Sequence, residues 1–295
     1  MGDMETLFII GENFSKEGET YSGDDWIASP FNDARVCGVF DGARSPHADL
    51  KTVAGFPSDK FVSNWLKQEL LQQLLDNPMA PLGTLLQRTN YAYGDMWPQL
   101  LSNEGINTLL NRKVNAPASA FAVAMVRDGL LTWVQGADCV LFLILADGKV
   151  IPLAGDQFSD IDPAKKKQQT WVSATKLLEE GHSVQEVLRR ENEMIAHNRA
   201  LLYNQHGGIA VLNGEPTMEE VLVVDTMDVS YHLDTGAKIL AMTDGCFQKL
   251  DDRSEFAAMT AAQLVVQKGL DGLKEALLLK SNPFPTDATA VLMDL

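Results

Sequence analysis

The stretch Val36-Cys37-Gly38-Val39-Phe40-Asp41-Gly42-Ala43-Arg44 organises the rest of the chain. It is a short apolar run of β type that ends in Asp-Gly, so it places a carboxylate at the end of a strand with a glycine that turns the backbone behind it. The same arrangement recurs at Ala237-Lys238-Ile239-Leu240-Ala241-Met242-Thr243-Asp244-Gly245. Asp-Gly is also a common hairpin turn, so one such ending says little, but two of them predict two halves of one acidic site.

The composition excludes several classes of protein. The 295 residues carry a net charge of -16 and are 45% hydrophobic, which is ordinary for a chain that buries a large core. A nucleic-acid partner would need a basic footprint, and the negative charge also disfavours an anionic membrane surface. No run approaches 18 apolar residues, and residues 1–12 lack the basic and apolar regions of a signal peptide.

Cysteine usage points to a reducing compartment. Cys37, Cys139 and Cys246 are far apart in the chain, and no C-x-x-C pair occurs. We therefore expect buried free thiols, and neither a zinc site nor a disulfide framework is predicted. A cytoplasmic location is the default expectation from these features.

Hydrophobic periodicity predicts an α+β chain with antiparallel sheets. Strands are expected at 7–10, 26–28, 35–40, 119–126, 130–134, 140–145, 150–153, 221–224, 239–243 and 288–295. Helices are expected at 58–75, 82–101, 171–203 (divided at Gly181) and 254–280, with Ser58 and Ser183 as N-caps. No internal repeat or linker interrupts the sequence, so a single domain over residues 1–295 is predicted.

Aspartates flank four of the predicted strands. Asp25 precedes one strand, Asp41 and Asp244 follow two others, and Asp287 precedes the last; Asp138 lies at the break between two more. If these strands are neighbours, the carboxylates repel one another, a cost that a hard divalent cation removes. Ligation by carboxylates, a glycine carbonyl and water suits Mg²⁺ or Mn²⁺. Because aspartate also suits turns, spacing alone leaves a purely structural reading open.

The residues of these stretches resemble sequence motifs of the metal-dependent protein phosphatases of type 2C. Five motifs of the family have counterparts here in the same order. They are the acidic pair with its V-F-D-G element, the G-S-T-A strand, and the N-x-G-D-S-R, L-x-S-D-G and D-N-x-T-x-V elements. The counterparts are Asp24-Asp25-Trp26 with Cys37-Gly38-Val39-Phe40-Asp41-Gly42, Ala118-Ser119-Ala120-Phe121-Ala122-Val123-Ala124, Trp133-Val134-Gln135-Gly136-Ala137-Asp138, Leu240-Ala241-Met242-Thr243-Asp244-Gly245, and Asp287-Ala288-Thr289-Ala290-Val291. The resemblance covers about residue 5 to residue 295.

The resemblance implies a fold and an activity. The implied fold is a four-layer αββα sandwich, in which two packed antiparallel sheets are flanked by paired antiparallel helices, with a flap region at about 155–216. The implied activity is hydrolysis of phosphoserine or phosphothreonine in a phosphorylated protein substrate. Water activated by a two-metal centre would perform this hydrolysis.

The resemblance also assigns metal ligands. Asp41 would bridge two Mg²⁺ or Mn²⁺ ions, and Asp25 with the Gly42 carbonyl would bind one of them. Asp244 and Asp287 would bind the other, and Asp138 matches the family's acid for a weaker third ion. Asp41 and Asp244 would act in catalysis through metal-bound water.

The sequence departs from the family pattern at the phosphate-binding position. Where many members carry an arginine, this chain has Glu19-Thr20-Tyr21-Ser22-Gly23. Arg44 could bind the substrate phosphate from the other side, and the alternative is a solvated loop arginine. Ala43 replaces the histidine that many eukaryotic members have after V-F-D-G, and Ala288 replaces the asparagine after the last aspartate.

Three classes of function are therefore weighed. The first is the metal-dependent phosphatase, and the second is a catalytically impaired protein that binds or regulates on the same fold. Four core aspartates favour the first, and the missing arginine favours the second. An unrelated hydrolase would need His-rich or Ser-His chemistry that the sequence lacks. The oligomeric state is left open.

Overall fold

The computed structural model describes residues 4–9, 22–31, 34–103, 111–248, 250, 254–280 and 287–295. The chain is α+β, as predicted, and the paired strands of its sheets run antiparallel. The strands are β1 (Met4–Ile9), β2 (Asp24–Phe31), β3 (Ala34–Ala43), β4 (Thr52–Val53), β5 (Phe56–Pro57), β6 (Ala118–Arg127), β7 (Leu130–Gly136), β8 (Val140–Ile144), β9 (Val150–Ala154), β10 (Val223–Asp228), β11 (Lys238–Met242) and β12 (Ala288–Asp294). The helices are α1 (Ser58–Asp76), α2 (Leu82–Asn103), α3 (Arg112–Asn115), α4 (Pro163–Gln168), α5 (Ala174–Glu179), α6 (Val184–Leu202) and α7 (Ser254–Lys280).

The long strands form two five-stranded sheets. The first has the order β1-β12-β11-β8-β9, and the second has the order β10-β7-β6-β3-β2. A short β4-β5 hairpin stands apart from both. Each sheet therefore contains one of the two Asp-Gly strands, β3 in the second sheet and β11 in the first.

The core lies between and outside these sheets. Val39 and Ala122 of the second sheet pack in one buried cluster with Leu141, Ile239 and Val291 of the first. A second cluster joins the first sheet to α7, and a third joins the second sheet to α1 and α2. Fully burying a Leu or Val side chain contributes roughly 1.5–3 kcal/mol, so these contacts fix how the two strand ends meet.

Helix α1 follows from its apolar spacing. Val62, Leu66, Leu70 and Leu74 recur every four residues, are fully or almost fully buried, and form one face against the second sheet. The predicted N-cap at Ser58 is wrong, because Pro57 precedes the first turn and no side chain caps it. The Ser58 hydroxyl instead accepts a hydrogen bond from the Ser45 amide at 3.2 Å.

Other predictions at element ends have mixed outcomes. The Ser183 N-cap is confirmed, since its hydroxyl accepts from the Glu186 amide at 3.2 Å. The strand predicted at 221–224 begins later, at Val223, and runs to Asp228. The strand predicted at 7–10 is Met4–Ile9, and Ile10 lies outside the described residues. All three cysteines are free and buried, as expected. Among the described residues, none of the helices is both long and apolar enough to cross a membrane.

The two strands nearest the acidic motifs are longer than predicted. The strand expected at 35–40 is Ala34–Ala43, and that expected at 26–28 is Asp24–Phe31. Asp41, Gly42, Asp24 and Asp25 therefore lie within strands, and none of them occupies a turn. Their side chains follow the two-residue alternation of a pleated strand, which decides where each carboxylate points.

Candidate functional site

Two pairs of strand ends bring the aspartates together. Asp24 of β2 stands directly opposite Asp41 of β3 in the second sheet. In the first sheet, β11 and β12 are neighbours, so Asp244 just after β11 and Asp287 just before β12 lie at the same end. The Thr243 hydroxyl donates to Asp24 Oδ2 at 2.8 Å, which joins the two sheet edges directly.

A pocket of about 260 Å³ opens at this junction. Five carboxylates line it: Asp24, Asp41, Asp138, Asp244 and Asp287. The rest of its lining is apolar or aromatic and consists of Ala43, Ala118, Ala120, Ala137, Phe158, Tyr203, Ile209 and Val211. The structure thus brings together four of the five aspartates that the sequence singled out, and none of the described lining residues is basic.

Asp24, rather than the predicted Asp25, supplies the fifth carboxylate. The strand begins at Asp24, so the two neighbours point to opposite faces of the sheet. Asp24 shares a face with Asp41, whereas Asp25 points away from the pocket, toward α1. The prediction that Asp25 belongs to the acidic cluster is corrected to Asp24, because the first residue of the pair already belongs to the strand.

Asp25 has its own network on the other face. It is 5% exposed and accepts from Lys67 Nζ at 2.8 Å, Lys60 Nζ at 3.2 Å and Asn64 Nδ2 at 3.0 Å. Burial acts to raise the pKa of Asp25, but the Lys67 hydrogen bond and the charge of Lys60 outweigh it and hold that pKa below its usual value. Lys60 also donates to the Asp24 carbonyl at 3.2 Å, so this network supports the backbone behind the pocket.

The glycines of both Asp-Gly pairs allow close backbone approaches. A Cβ on Gly42 would lie 2.2 Å from the Asp59 carbonyl oxygen and 2.6 Å from that of Gly23. A Cβ on Gly245 would lie 1.7 Å from the Asp287 carbonyl oxygen. Gly42 does not turn the chain, since β3 continues to Ala43. Both glycines are required because neighbouring backbone passes at contact distance, and this closeness draws the carboxylates together.

The carboxylates take protein partners in this structure. The Asp41 and Asp244 carboxyl groups share a hydrogen bond, and Asp244 also accepts from the Gln248 side chain. Asp287 accepts from the Gly23 amide, and Asp24 accepts from Thr243. Within the described part of the chain, no three His, Cys, Asp or Glu side chains converge closely enough to hold an ion as they stand. Binding of a cation here requires these side chains to exchange partners.

The carboxylates of the pocket lie close enough to raise one another's pKa. Burial, with the charge of Asp287, raises the pKa of Asp24 to about 8. Burial and the charge of Asp244 raise the pKa of Asp138 to about 8 as well. The pKa of Asp41 lies well above its usual value because of burial and the charges of Asp24 and Asp244, and burial also raises the pKa of Asp244. A site of oxygen donors with this excess of negative charge has the chemistry that Mg²⁺ or Mn²⁺ requires.

Two glutamines that the sequence analysis missed hold the loop of Asp138. Gln135 Nε2 donates to the carbonyls of Ala137, Cys139 and Gly155 at 2.9, 3.0 and 2.7 Å. Gln157 Oε1 accepts from the Ala137 amide at 2.9 Å. Ala137 has φ of +59°, a strained left-handed conformation for a residue with a Cβ. The hydrogen bonds fix that conformation and with it the direction of Asp138.

Arg44 lies beside the pocket but does not line it. Its Nε forms an ion pair with the Asp59 carboxylate on α1. The side chains of Arg44 and Asp59 are 35% and 11% exposed, so the pair is half-buried. The neighbourhood of the missing family arginine, at 19–21, lies outside the described residues. The sequence offered no signal for the aromatic wall, which Phe158 and Tyr203 contribute from distant segments.

The protein matches known proteins in structure but not in sequence. No family model matches the sequence, and no curated protein matches it. The serine/threonine phosphatase PstP/Ppp of Mycobacterium tuberculosis matches in structure with a TM-score of 0.55 at 17% identity, over 100% of this chain and 98% of that chain. The phosphatase Stp1 of Staphylococcus aureus matches with a TM-score of 0.57 at 12% identity, over 100% and 95%.

Two solved structures in this group contain metal ions. The catalytic domain of PstP, in complex with two manganese ions, matches with a TM-score of 0.56 at 16% identity, over 99% of this chain and 97% of that chain. RsbX, in complex with magnesium, matches with a TM-score of 0.51 at 12% identity, over 100% of both chains. The match extends over the full chain in each case. The protein therefore has the fold of the bacterial serine/threonine phosphatases of the metal-dependent type, at low sequence identity to those compared.

Proposed function

We propose that this protein is a divergent metal-dependent phosphatase that hydrolyses phosphoserine or phosphothreonine in protein substrates. The observation that carries the proposal is the pocket that five carboxylates line on this fold, four of them (Asp24, Asp41, Asp138 and Asp244) with raised pKa values. Buried carboxylates this close raise one another's pKa and destabilise the folded chain, so their presence together calls for a function that offsets the cost. Binding of divalent cations is the function that fits an all-oxygen donor set.

The ligand assignment follows the sequence prediction with one change. Asp41 would bridge two ions, and Asp24 in place of Asp25, with the Gly42 carbonyl, would bind the first. Asp244 and Asp287 would bind the second. Two bound Mg²⁺ or Mn²⁺ ions would lower the pKa of a water molecule and clamp a phosphoryl oxygen for in-line displacement. A third, weaker ion at Asp138 remains part of the proposal.

The protein's own groups orient these ligands and shape the substrate space. Thr243 holds Asp24 by a 2.8 Å hydrogen bond, and the strained Ala137 directs Asp138. Gly42 and Gly245 let the backbones of the two sheet edges approach. Phe158 and Tyr203 line one side of the pocket with aromatic rings. No described lining residue offers a positive charge to a phosphate, so phosphate affinity would depend on the metal.

A second candidate function rests on that same lack of a basic residue. An impaired site on this fold would bind a phosphoprotein or another partner without hydrolysing it. The pairing of Arg44 with Asp59 favours this candidate, because it occupies the one arginine that the sequence offered for phosphate binding. The retained carboxylates favour the enzyme.

Three wider features remain proposals. The two packed sheets, with α1 and α2 on one side and α7 on the other, support the four-layer αββα arrangement. The segment 155–216 is proposed as a flap beside the site within a single domain. The three free buried cysteines support a reducing, cytoplasmic compartment.

Hydrolysis of p-nitrophenyl phosphate and of a phosphoserine peptide tests the proposal. We expect turnover with Mn²⁺, none with EDTA, and loss of at least about 1000-fold in Asp41→Asn, since loss of a charged group that stabilises the transition state costs about this much. Asp147→Asn is the matched control, because Asp147 also precedes a glycine but lies exposed in a hairpin turn.

Each outcome of this experiment distinguishes the candidates. Activity that survives both EDTA and Asp41→Asn would place the reaction at another site. Saturable Mn²⁺ binding without turnover at high enzyme concentration would favour the non-catalytic candidate.

A further inference from the structure

A buried arginine on α6 has no part in the function proposed so far. Arg199 is 3% exposed, yet among the described residues no carboxylate lies within ion-pair distance of it. Burying an unpaired charge is expensive unless hydrogen bonds satisfy it. Arg190 on the same helix shows the usual alternative, since its side chain is 39% exposed and pairs with Glu186 four residues earlier. Arg199 must therefore owe its burial to the groups that it contacts.

The Arg199 guanidinium binds two segments that lead into the acidic pocket. Its Nη2 donates to the carbonyl of Arg44, just past the end of β3, at 2.5 Å. Its Nη1 donates to the carbonyl of Ala116 at 2.8 Å and lies 3.5 Å from that of Val114, just before β6. The planar fork of an arginine suits such divergent acceptors, and a lysine ammonium would not span them in the same way.

The same guanidinium also covers an aromatic ring of the pocket wall. The Arg199 Cζ atom lies 5.3 Å from the centroid of the Tyr203 ring, within the range of a cation–π interaction. Tyr203 lines the pocket, as do Ala43 and Ala118, which lie one and two residues from the carbonyls that Arg199 binds. One side chain thus contacts the tyrosine and both strand ends on this side of the pocket.

The chain after Tyr203 is tied to the same place. Leu212 and Ser119 exchange backbone hydrogen bonds of 2.9 and 3.0 Å, which add this segment to the start of β6. Asn204 holds the carbonyl and the amide of Val211 at 3.0 and 2.9 Å. Leu212 therefore ties one end of the wall from Tyr203 to Leu212 to β6, and the Ala210 amide donates to Gln157 Oε1 at 3.0 Å in between. Arg199 contacts the Tyr203 end.

We propose that Arg199 is a positioning residue that fixes the Tyr203 side of the acidic pocket against the ends of β3 and β6. It acts through Tyr203 and the carbonyls of Arg44 and Ala116, and it touches none of the five carboxylates. The expected effect of Arg199 on turnover depends on the proposed function, whereas its expected effect on the Tyr203 side of the pocket does not. Loss of the guanidinium should loosen the wall and leave the carboxylate cluster in place.

The test compares Arg199→Met and Arg199→Lys with the matched control Arg190→Met on the same helix. Hydrogen exchange measured by mass spectrometry should show faster exchange, by about tenfold, for the amides of 203–212 in Arg199→Met and a smaller increase in Arg199→Lys. Arg190→Met should match the wild type. If Arg199→Met does not fold, the same measurement is made on Arg199→Lys and Tyr203→Leu. Tyr203→Leu removes the ring and leaves the guanidinium. Unchanged exchange at 203–212 in the folded variants would overturn the proposal.

Kinetics and metal binding separate positioning from a general loss of structure. With Mn²⁺, the KM for p-nitrophenyl phosphate should rise by about tenfold in Arg199→Met, and the Mn²⁺ dissociation constant should stay within about twofold of the wild type. A parallel loss of Mn²⁺ affinity, or an unchanged KM in an active protein, would contradict the proposal. If the wild type does not turn over the substrate, the proposed function fails while the exchange measurement still decides the role of Arg199.

Discussion

Asp24 and Asp25 are neighbours in the sequence and opposites in the structure. Asp24 faces a pocket of like charges with Thr243 as its hydrogen-bond donor, and its pKa rises to about 8, chiefly because of burial. Asp25 faces two lysines and an asparagine on α1, and there the donors outweigh burial, so its pKa lies below the usual value. Both residues are at most 5% exposed. Burial alone therefore does not decide the state of a carboxylate, and the charges that it faces do.

The two aspartates of this dipeptide have different effects, since Asp25 stabilises the fold and Asp24 belongs to the acidic pocket. Asp25 and its lysines hold α1 against β2, which stabilises the protein in the absence of any ligand. Asp24 and its acidic neighbours repel one another and destabilise the folded chain unless a counter-charge is present. Changes that alter one face should therefore leave the other nearly unaffected.

The largest expected effect is the dependence of stability on pH without metal. Asp24 and Asp138 have folded pKa values of about 8, against about 4 for an unfolded aspartate, so the folded chain holds more protons between these values. Stability is then complete below about pH 4 and falls as the pH rises toward 8, by up to about 1.4 kcal/mol per pH unit for each carboxyl. Urea denaturation in EDTA should give a lower free energy of unfolding at pH 8 than at pH 5.5, by about 3 kcal/mol for each of the two carboxyls.

Asp25 does not contribute in this range. Its folded pKa is lowered, so its stabilisation is present above the unfolded value of about 4 and is lost only as the pH falls further. A free energy of unfolding that stayed level or rose between pH 5.5 and pH 8 would contradict the electrostatics of the pocket. In Asp24→Asn the slope should be smaller.

The next effect concerns the backbone that brings the carboxylates together. Gly42→Ala would place a Cβ 2.2 Å from the Asp59 carbonyl oxygen, and backbone cannot move aside as a flexible side chain would. We expect a loss of about 3 kcal/mol in the free energy of unfolding, the upper range for overpacking. Gly155→Ala, with no atom within 4 Å of the new Cβ, should change it by less than about 0.5 kcal/mol. Equal effects of the two changes would show that Gly42 is not under this constraint.

The variants Asp24→Asn and Asp25→Asn test the contrast between the two aspartates directly. Asp25→Asn should cost about 2 kcal/mol of stability, because Lys60 and Lys67 lose their buried counter-charge, and should change Mn²⁺ affinity by less than about threefold. Asp24→Asn should weaken Mn²⁺ binding on the order of 100-fold without loss of stability in EDTA. Calorimetric titration with Mn²⁺ and urea denaturation measure both quantities. Reversed results would return the metal role to Asp25.

The smallest effect is expected at Arg44. Its partly exposed ion pair with Asp59 is worth roughly 1 kcal/mol or less, and Asp59 already neutralises the guanidinium charge that a phosphate would need. Arg44→Ala should therefore change the KM for p-nitrophenyl phosphate by less than about threefold. A tenfold rise in KM, with Mn²⁺ affinity unchanged, would instead assign phosphate binding to Arg44.

The sequence predicts most of the long elements and most residues of the candidate site, because both produce local signals. The apolar periodicity of α1 and the Asp-Gly endings of β3 and β11 are visible as residue patterns. The choice between Asp24 and Asp25 is not, since it depends on where β2 begins, and a shift of one residue exchanges the two faces. Hydrogen bonds of Gln135 and Arg199 join residues that are 20 and 155 positions apart, so no local sequence pattern predicts them.

The central claim is that the acidic pocket is a two-metal centre, and anomalous diffraction from crystals soaked in Mn²⁺ at pH 8 tests it most directly. The account predicts two manganese peaks roughly 3.5–4 Å apart, with Asp41 between them, Asp24 and the Gly42 carbonyl on one, and Asp244 and Asp287 on the other. Crystals of Asp41→Asn should lose at least one of the peaks. Manganese bound elsewhere, or no peak in the pocket of the wild type at saturating Mn²⁺, would contradict the claim.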